Sequence, residues 1–397
     1  MENNYTQICE DKSWSLNGGE EDIGKKVLQF LRECSETATF GARLKRFIAK
    51  ECGVSEDSVP QYLKDRFQTE GIDINSNTLR NWFSKAGPKK GDHSRDLMLR
   101  VAFALHLNLE QTNRLFQKVY LDRGLYPRRF EEYTAEFCLK ERLSWAVWQS
   151  LLKQYPSAEE TNEQTIYTRV LQQNLGDIKT PDELAEYWQK HFYNFTIRNK
   201  SAREVLQDLI QKVKGNETKT GEIDLEIAER PDLSSILNIT GPRKYNKNSA
   251  VTQEWDRRRP HDTNEAMVYV ITDIDPHMQN SNKGKRSILK DTCLPSEIRT
   301  NFPEASVFSK KDPSYEEMRK MIILLGSYYL WHQAKRSRKV LELETYIQEM
   351  NDRLNEAGLP PLYYGNPFDW LFLFSAKEEY PLVCFREVLA EAMDEKT

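Results

Sequence analysis

Apolar residues in this chain recur at helical spacing almost from end to end, and that periodicity limits its fold more than any other feature. Val27, Phe30 and Leu31 share one helix face. Leu44, Phe47 and Ile48 share another, and Leu97, Val101, Ala104 and Leu105 a third, with Leu115 and Val119 beyond. Start and stop signals agree. Thr180-Pro181-Asp182-Glu183 offers a capping Thr, a Pro at the first helical position and a Glu that reaches back. Ser314-Tyr315-Glu316-Glu317 is a second such box, and Ser76 is a candidate cap for the segment after it. Ser201 opens a helix with Val205, Leu206, Leu209, Ile210 and Val213 on one face and Gly215 as its stop.

The C-terminal third repeats the pattern. Met318, Met321, Ile322, Leu325, Tyr328 and Tyr329 form an amphipathic stretch. Val340, Leu343, Ile347, Met350 and Leu354 form the next helix, which Gly358-Leu359-Pro360-Pro361 ends. Phe368 to Phe374 is almost wholly apolar and must be buried. Only Met267 to Thr272 has the β-branched, aromatic character of a strand. With 17 Gly and 16 Pro in 397 residues, breakers are scarce, so the expected fold is mainly α with one short β segment. The expected organisation is a polar tail over 1–20, helical segments over 21–125 and 126–240, a loop region with the short strand over 241–300, and a helical region over 301–397. The runs Arg243-Lys244, Arg257 to Arg259 and Lys283 to Arg286 fall in the loop region and read as exposed. Asn113-Arg114-Leu115 followed by Gly124-Leu125-Tyr126-Pro127 and Phe130 is echoed by Asn351-Asp352-Arg353-Leu354 followed by Leu362-Tyr363-Tyr364 and Phe368. This weak repeat is either a recurring packing solution or a duplicated helical hairpin.

Several classes are excluded or disfavoured. The six cysteines are far apart and none forms CxxC, which fits neither a zinc ribbon nor a disulfide scaffold. No run of ~18 apolar residues suggests a membrane span, and no apolar leader is expected at the N-terminus. The expected location is the cytoplasm. No phosphate-binding glycine loop, HExxH or nucleophile elbow occurs, so neither catalysis nor a cofactor nor a bound metal is expected.

The informative stretch is 40–122. Gly71 supplies a positive-φ turn, Ile72 or Ile74 plugs the angle between crossed helices, and Leu79, Trp82 and Phe83 face inward. Asn77, Arg80, Asn81 and Ser84 then face outward. A helix of this kind, packed by one face and polar on the other, is what a helix-turn-helix offers to the major groove. Thr78-Leu79-Arg80-Asn81-Trp82, Gly87-Pro88 and Arg100-Val101-Ala102-Phe103-Ala104-Leu105 resemble the helix-turn-helix domains of phage-repressor-like transcription factors. The resemblance covers about 80 residues, with a turn about two residues longer than the family's. It implies a five-helix module and duplex DNA as partner. Asn77, Arg80 and Asn81 are then candidate base readers, and Thr78, Lys85, Lys89 and Lys90 candidate phosphate contacts. It also implies dimerisation, here through the apolar 318–374 region, with a protein or peptide partner of the C-terminal region a further possibility. The rest of the chain, including Tyr120-Leu121-Asp122-Arg123 and Arg319 to Leu325, is similar to proteins of Gram-positive bacteria with such an N-terminal domain, a similarity that implies no activity.

Charge is distributed accordingly. Residues 40–130 hold 17 Lys/Arg against 10 Asp/Glu, whereas the remainder holds 40 against 51. A basic module on an acidic body is the electrostatic footprint of nucleic-acid binding. Two rival readings stand beside this one. The same module can be a degenerate helix-turn-helix used to dock a protein. Alternatively Asp273 and Asp275, at i, i+2 of a strand end beside His277 and downstream of His261-Asp262, share a face and hold metal for a nuclease.

Overall fold

The computed structural model describes residues 25–29, 39–84, 87–88, 91–154, 168–191, 193–214, 267–268, 271–273, 298, 302 and 313–394. Among them are helices and turns and no strand. In order they are α1 (Phe40–Cys52), α2 (Val59–Thr69), α3 (Ser76–Ser84), α4 (Asp92–Ala104), α5 (Leu109–Arg114), α6 (Phe130–Lys140), α7 (Trp145–Lys153), α8 (Thr168–Asp177), α9 (Pro181–His191), α10 (Tyr193–Lys214), α11 (Tyr315–Ser337), α12 (Leu343–Glu356), α13 (Pro367–Lys377) and α14 (Pro381–Asp394). Helix α5 passes directly into a π-helical turn, Leu115–Val119. The described residues divide into two compact units, one holding those within 39–202 and 355–367, the other those within 25–29, 203–354 and 368–394.

In the first unit, local chemistry sets the helix ends. Thr39 Oγ1 accepts from the Ala42 N–H at 3.2 Å and opens α1. Asn108 and Gln111 form a reciprocal capping box at α5, and Thr180 and Glu183 form the expected one at α9. One hydrophobic core runs through this unit from Phe40 to Phe195. It passes position 125 without a break: the Phe103 ring lies 5.4 Å from Trp148 and 5.8 Å from Trp145. Trp148 Nε1 in turn donates to the Glu131 carbonyl at 3.1 Å.

The second unit is built around α11, which the Ser314–Glu317 capping box opens as the sequence suggests. Met318, Met321, Ile322, Leu325 and Tyr328 are buried along it. The Trp331 ring packs with those of Tyr346, Phe372 and Phe385, and the Ser327 and Tyr346 hydroxyls share a 2.7 Å hydrogen bond. All of Phe368–Phe374 is buried.

Each unit holds a buried, forked ion pair. Arg95, in the first turn of α4, grips Glu132 with Nε to Oε1 at 2.6 Å and Nη2 to Oε2 at 2.8 Å. Arg319, near the start of α11, grips Asp369 with Nη1 to Oδ1 at 2.9 Å and Nη2 to Oδ2 at 2.6 Å. Each carboxylate is the third residue of its helix, and both pairs are buried. In each unit an arginine early in one helix thus grips a carboxylate at the third position of a later one, through the Nε/Nη2 edge in the first and the Nη1/Nη2 edge in the second.

Three expectations need correction. Met267, Val268, Ile271 and Thr272 are helical, not extended, and the Thr272 hydroxyl donates to the Val268 carbonyl one turn back at 2.7 Å. Burial of Met267, Val268 and Ile271 at helical spacing outweighs the β propensity of Val and Ile. Helix α10 starts at Tyr193, so Ser201 lies inside it rather than at its head. Val340 is 70 % exposed in the link between α11 and α12, because Arg338 in the left-handed conformation ends α11 and α12 begins only at Leu343.

Candidate nucleic-acid interface

Helix α3 is placed by the way α2 stops. The Ile72 N–H donates to the Phe67 carbonyl at 2.9 Å and the Gly71 N–H to the Gln68 carbonyl at 3.2 Å, with Gly71 at φ +63°. This double closure needs the left-handed residue that glycine supplies, and the apolar residue that follows it, Ile72, is buried. Beyond Ile72 the turn is held from α4: Arg100 Nη1 donates to the Asp73 carbonyl while its guanidinium lies over the Trp145 ring. The turn's extra length is therefore anchored rather than loose.

Helix α3 is then capped by Asn75, not by Ser76. The Asn75 side-chain oxygen accepts from the Asn77 N–H at 2.8 Å, and its carbonyl accepts from the Leu79 N–H at 3.1 Å. Asn precedes Ser by one residue and both are good caps, so spacing alone does not choose between them. Leu79 and Trp82 are buried, and Phe83 packs partly against the same core. The Trp82 ring meets Phe40 edge-on at 5.8 Å. Helix α1 crosses here at very short range: a Cβ built on Gly41 would lie 2.6 Å from the Trp82 carbonyl oxygen and 2.9 Å from Phe83 Cα.

The opposite face of α3 is exposed and polar. Asn77, Arg80, Asn81 and Ser84 are all exposed, and Thr78 is half-buried at its flank. Arg80 Nη2 donates to Asn77 Oδ1 at 2.8 Å, and Ser84 Oγ donates to the Arg80 carbonyl at 2.9 Å. Lys85, Lys89 and Lys90 lie outside the described residues.

The positive charge counted over 40–130 is divided in the structure. Arg95 and Arg129 are buried on Glu132, Arg129 also reaching Asp96 at 2.9 Å. Arg43 donates to the Val119 carbonyl, Arg66 to the Ala104 carbonyl, Arg100 to the Asp73 carbonyl and Arg114 to Glu51. These six arginines hold the fold together. Arg46, Lys50, Lys64, Arg80 and Lys118 are exposed. Lys45 is half-buried one turn beyond Gly41 on α1, on the side that meets α3. Sequence reasoning passed over Lys45. The signal for it was the Gly41-x-x-x-Lys45 spacing on one helix face.

Burial alone would raise the Glu132 carboxyl, but Arg95 and Arg129 beside it hold it down at about 2. It is therefore charged and paired, a structural ion cluster rather than an acid or base. Among the described residues no group of three or more His, Cys, Asp or Glu is arranged to hold a metal. Asp273, exposed at φ +59°, follows helical residues rather than a strand, and Asp275, His277, His261 and Asp262 lie outside the described residues. Cys52, Cys138 and Cys384 are free thiols, and burial pushes Cys138 and Cys384 up to about 12. No described helix is long and apolar enough to cross a membrane. No family model, no curated protein and no solved structure matches the chain.

Proposed function

We propose that this chain is a sequence-specific regulator that binds duplex DNA, with α3 entering the major groove and the C-terminal helical region serving self-association or signal reception. One observation carries the reading. Helix α3 is fixed on three sides, by the Gly71 closure, the Arg100 anchor and the Gly41 crossing, yet its outer face is polar and exposed, with Asn77, Arg80 and Asn81 at helical spacing. A helix held this firmly by its neighbours, while offering amide and guanidinium groups to solvent, has the chemistry of base readout. Thr78, Lys85, Lys89 and Lys90 would take phosphates, and Lys45, on the side of α1 that meets α3, would add a further cation. The apolar side chains of the 318–374 stretch are largely buried within the chain itself, so self-association would use other side chains of the C-terminal region.

Fluorescence anisotropy on a mixed-sequence duplex over a salt series tests the reading. Binding should weaken steeply with salt, and replacing Lys85, Lys89 and Lys90 together should reduce the logarithmic salt slope by up to about 3 per module, evenly across sequences. Absence of salt-dependent binding would instead favour the protein-docking role. A monomer by light scattering at micromolar concentration, with and without DNA, would remove the self-association part.

A further inference from the structure

The exposed face of α3 contains an internal contact that sorts its candidate readers into two kinds. Asn77 and Arg80 are one turn apart, and the guanidinium Nη2 donates to Asn77 Oδ1 at 2.8 Å. Asn77 is itself fixed at the head of the helix, where its N–H donates to the capping Asn75 side chain at 2.8 Å. An asparagine that reads adenine presents its amide oxygen and amide nitrogen together, one accepting and one donating. With Oδ1 turned to a cation, one of its two lone pairs is taken and the amide plane is set by Arg80 rather than free to face a base edge. Arg80 loses much less. Its guanidinium has two edges with paired N–H groups, one formed by Nε and Nη2 and the other by Nη2 and Nη1. Whichever Nη2 hydrogen goes to Asn77, one edge keeps both parallel donors. Such a pair matches O6 and N7 of guanine. A long side chain already held in one direction also gives up less rotamer freedom on binding.

We infer that Asn77 is a positioning residue for Arg80 rather than a base reader, so that Arg80 reads a guanine from α3 and Asn81 is the remaining asparagine that could read a base. This rests on the DNA-binding reading above. The full chain, as wild type, Asn77→Ala, Asn77→Asp, Arg80→Ala and the Asn77→Ala/Arg80→Ala double variant, is used to select sites from a random duplex library. The ratio of affinities for a site with and without the selected guanine is then measured, and thermal melting checks that each variant folds.

Arg80→Ala should abolish the preference at one guanine. Asn77→Ala should weaken the preference at that same base pair by about three- to tenfold, the scale of one lost orienting hydrogen bond. Asn77→Asp, which still offers an oxygen to the guanidinium, should retain the ratio even though its charge lowers affinity for every site. The double variant should match Arg80→Ala. A variant Asn77→Ala that keeps the guanine ratio but loses an adenine elsewhere overturns the inference, since Asn77 then reads for itself. So does an equal loss of affinity on all sequences, and so does wild-type binding with no base preference. No salt-dependent duplex binding by the wild type overturns the parent reading and this inference with it.

Discussion

Glu132 and Glu136 sit one turn apart on α6 and are driven in opposite directions by their surroundings. Glu132 is held down at about 2, because the two buried arginines outweigh desolvation. Its contribution is present above the ordinary glutamate range and is lost as pH falls through about 2. Glu136 is pushed up to about 7 by burial, with the charge of Glu132 adding to the rise and Lys140 opposing it. For Glu136 the sign is the reverse: folding is favoured while it is protonated, and stability is lost as pH rises from about 4.5 to about 7. Glu136→Gln keeps the shape and removes the titration. Wild type should lose ~1–2 kcal/mol across that window, discounted for the partial exposure of the side chain, and the variant should lose clearly less. Urea midpoints at pH 4.5, 5.5 and 7 read this directly, and parallel curves for the two proteins would show that Glu136 is solvated like any surface carboxylate.

At the scale of elements, the crossing of α1 and α3 is the tightest joint near the proposed reading face. The atoms closest to Gly41 are backbone atoms of Trp82 and Phe83, which have no flexible end to move aside. Gly41→Ala should therefore shift α3 bodily and cost about 1–3 kcal/mol, the scale of an overpacked contact. Gly176 in α8 meets nothing within 4 Å, so Gly176→Ala serves as a control and should be neutral or stabilising by up to about 1 kcal/mol. Denaturant unfolding of both variants checks the contrast, and equal effects would mean the crossing relaxes at no cost. The contrast also explains what the sequence revealed at this scale. Boxes such as Ser314–Glu317 and Thr180–Glu183, and the inward set Leu79, Trp82, could be read because partners three or four residues apart fix them. The helical state of Met267, Val268, Ile271 and Thr272 is not legible locally, because Val and Ile suit a strand and their burial depends on residues distant in the chain. The Arg100 anchor on the Asp73 carbonyl left no trace, since a backbone acceptor has no residue type. Arg95 and Arg129 counted as basic surface until their partner Glu132, 37 residues beyond Arg95, was placed beside them.

At the scale of the molecule, the proposed DNA-binding helices do not own a separate core. Leu44, Phe67, Trp82, Leu99 and Phe103 belong to the same apolar cluster as Tyr133, Trp148, Leu171, Leu184 and Trp188. Arg95 in α4 pairs with Asp122 at 3.0 Å and also with Glu132 in α6, beyond the boundary at 125 expected for the helix-turn-helix domain. A fragment ending at 125 would take the forked Glu132 contact from Arg95, leaving it Asp122, and strip Phe103 of both its tryptophan contacts. Leaving a buried charge with no partner costs ~3–5 kcal/mol; with Asp122 still beside Arg95 the loss is smaller, and the lost aromatic burial adds to it. A domain of this length has roughly 5–15 kcal/mol of total stability, so these losses take a large part of it. Fragment 21–125 should therefore show helical far-ultraviolet dichroism with weak near-ultraviolet signal and a broad thermal transition. Fragment 21–202, which keeps α4 to α9 together, should melt cooperatively. If 21–125 instead melts as sharply as 21–202, the two stretches fold independently, and the shared core contributes packing without cooperativity.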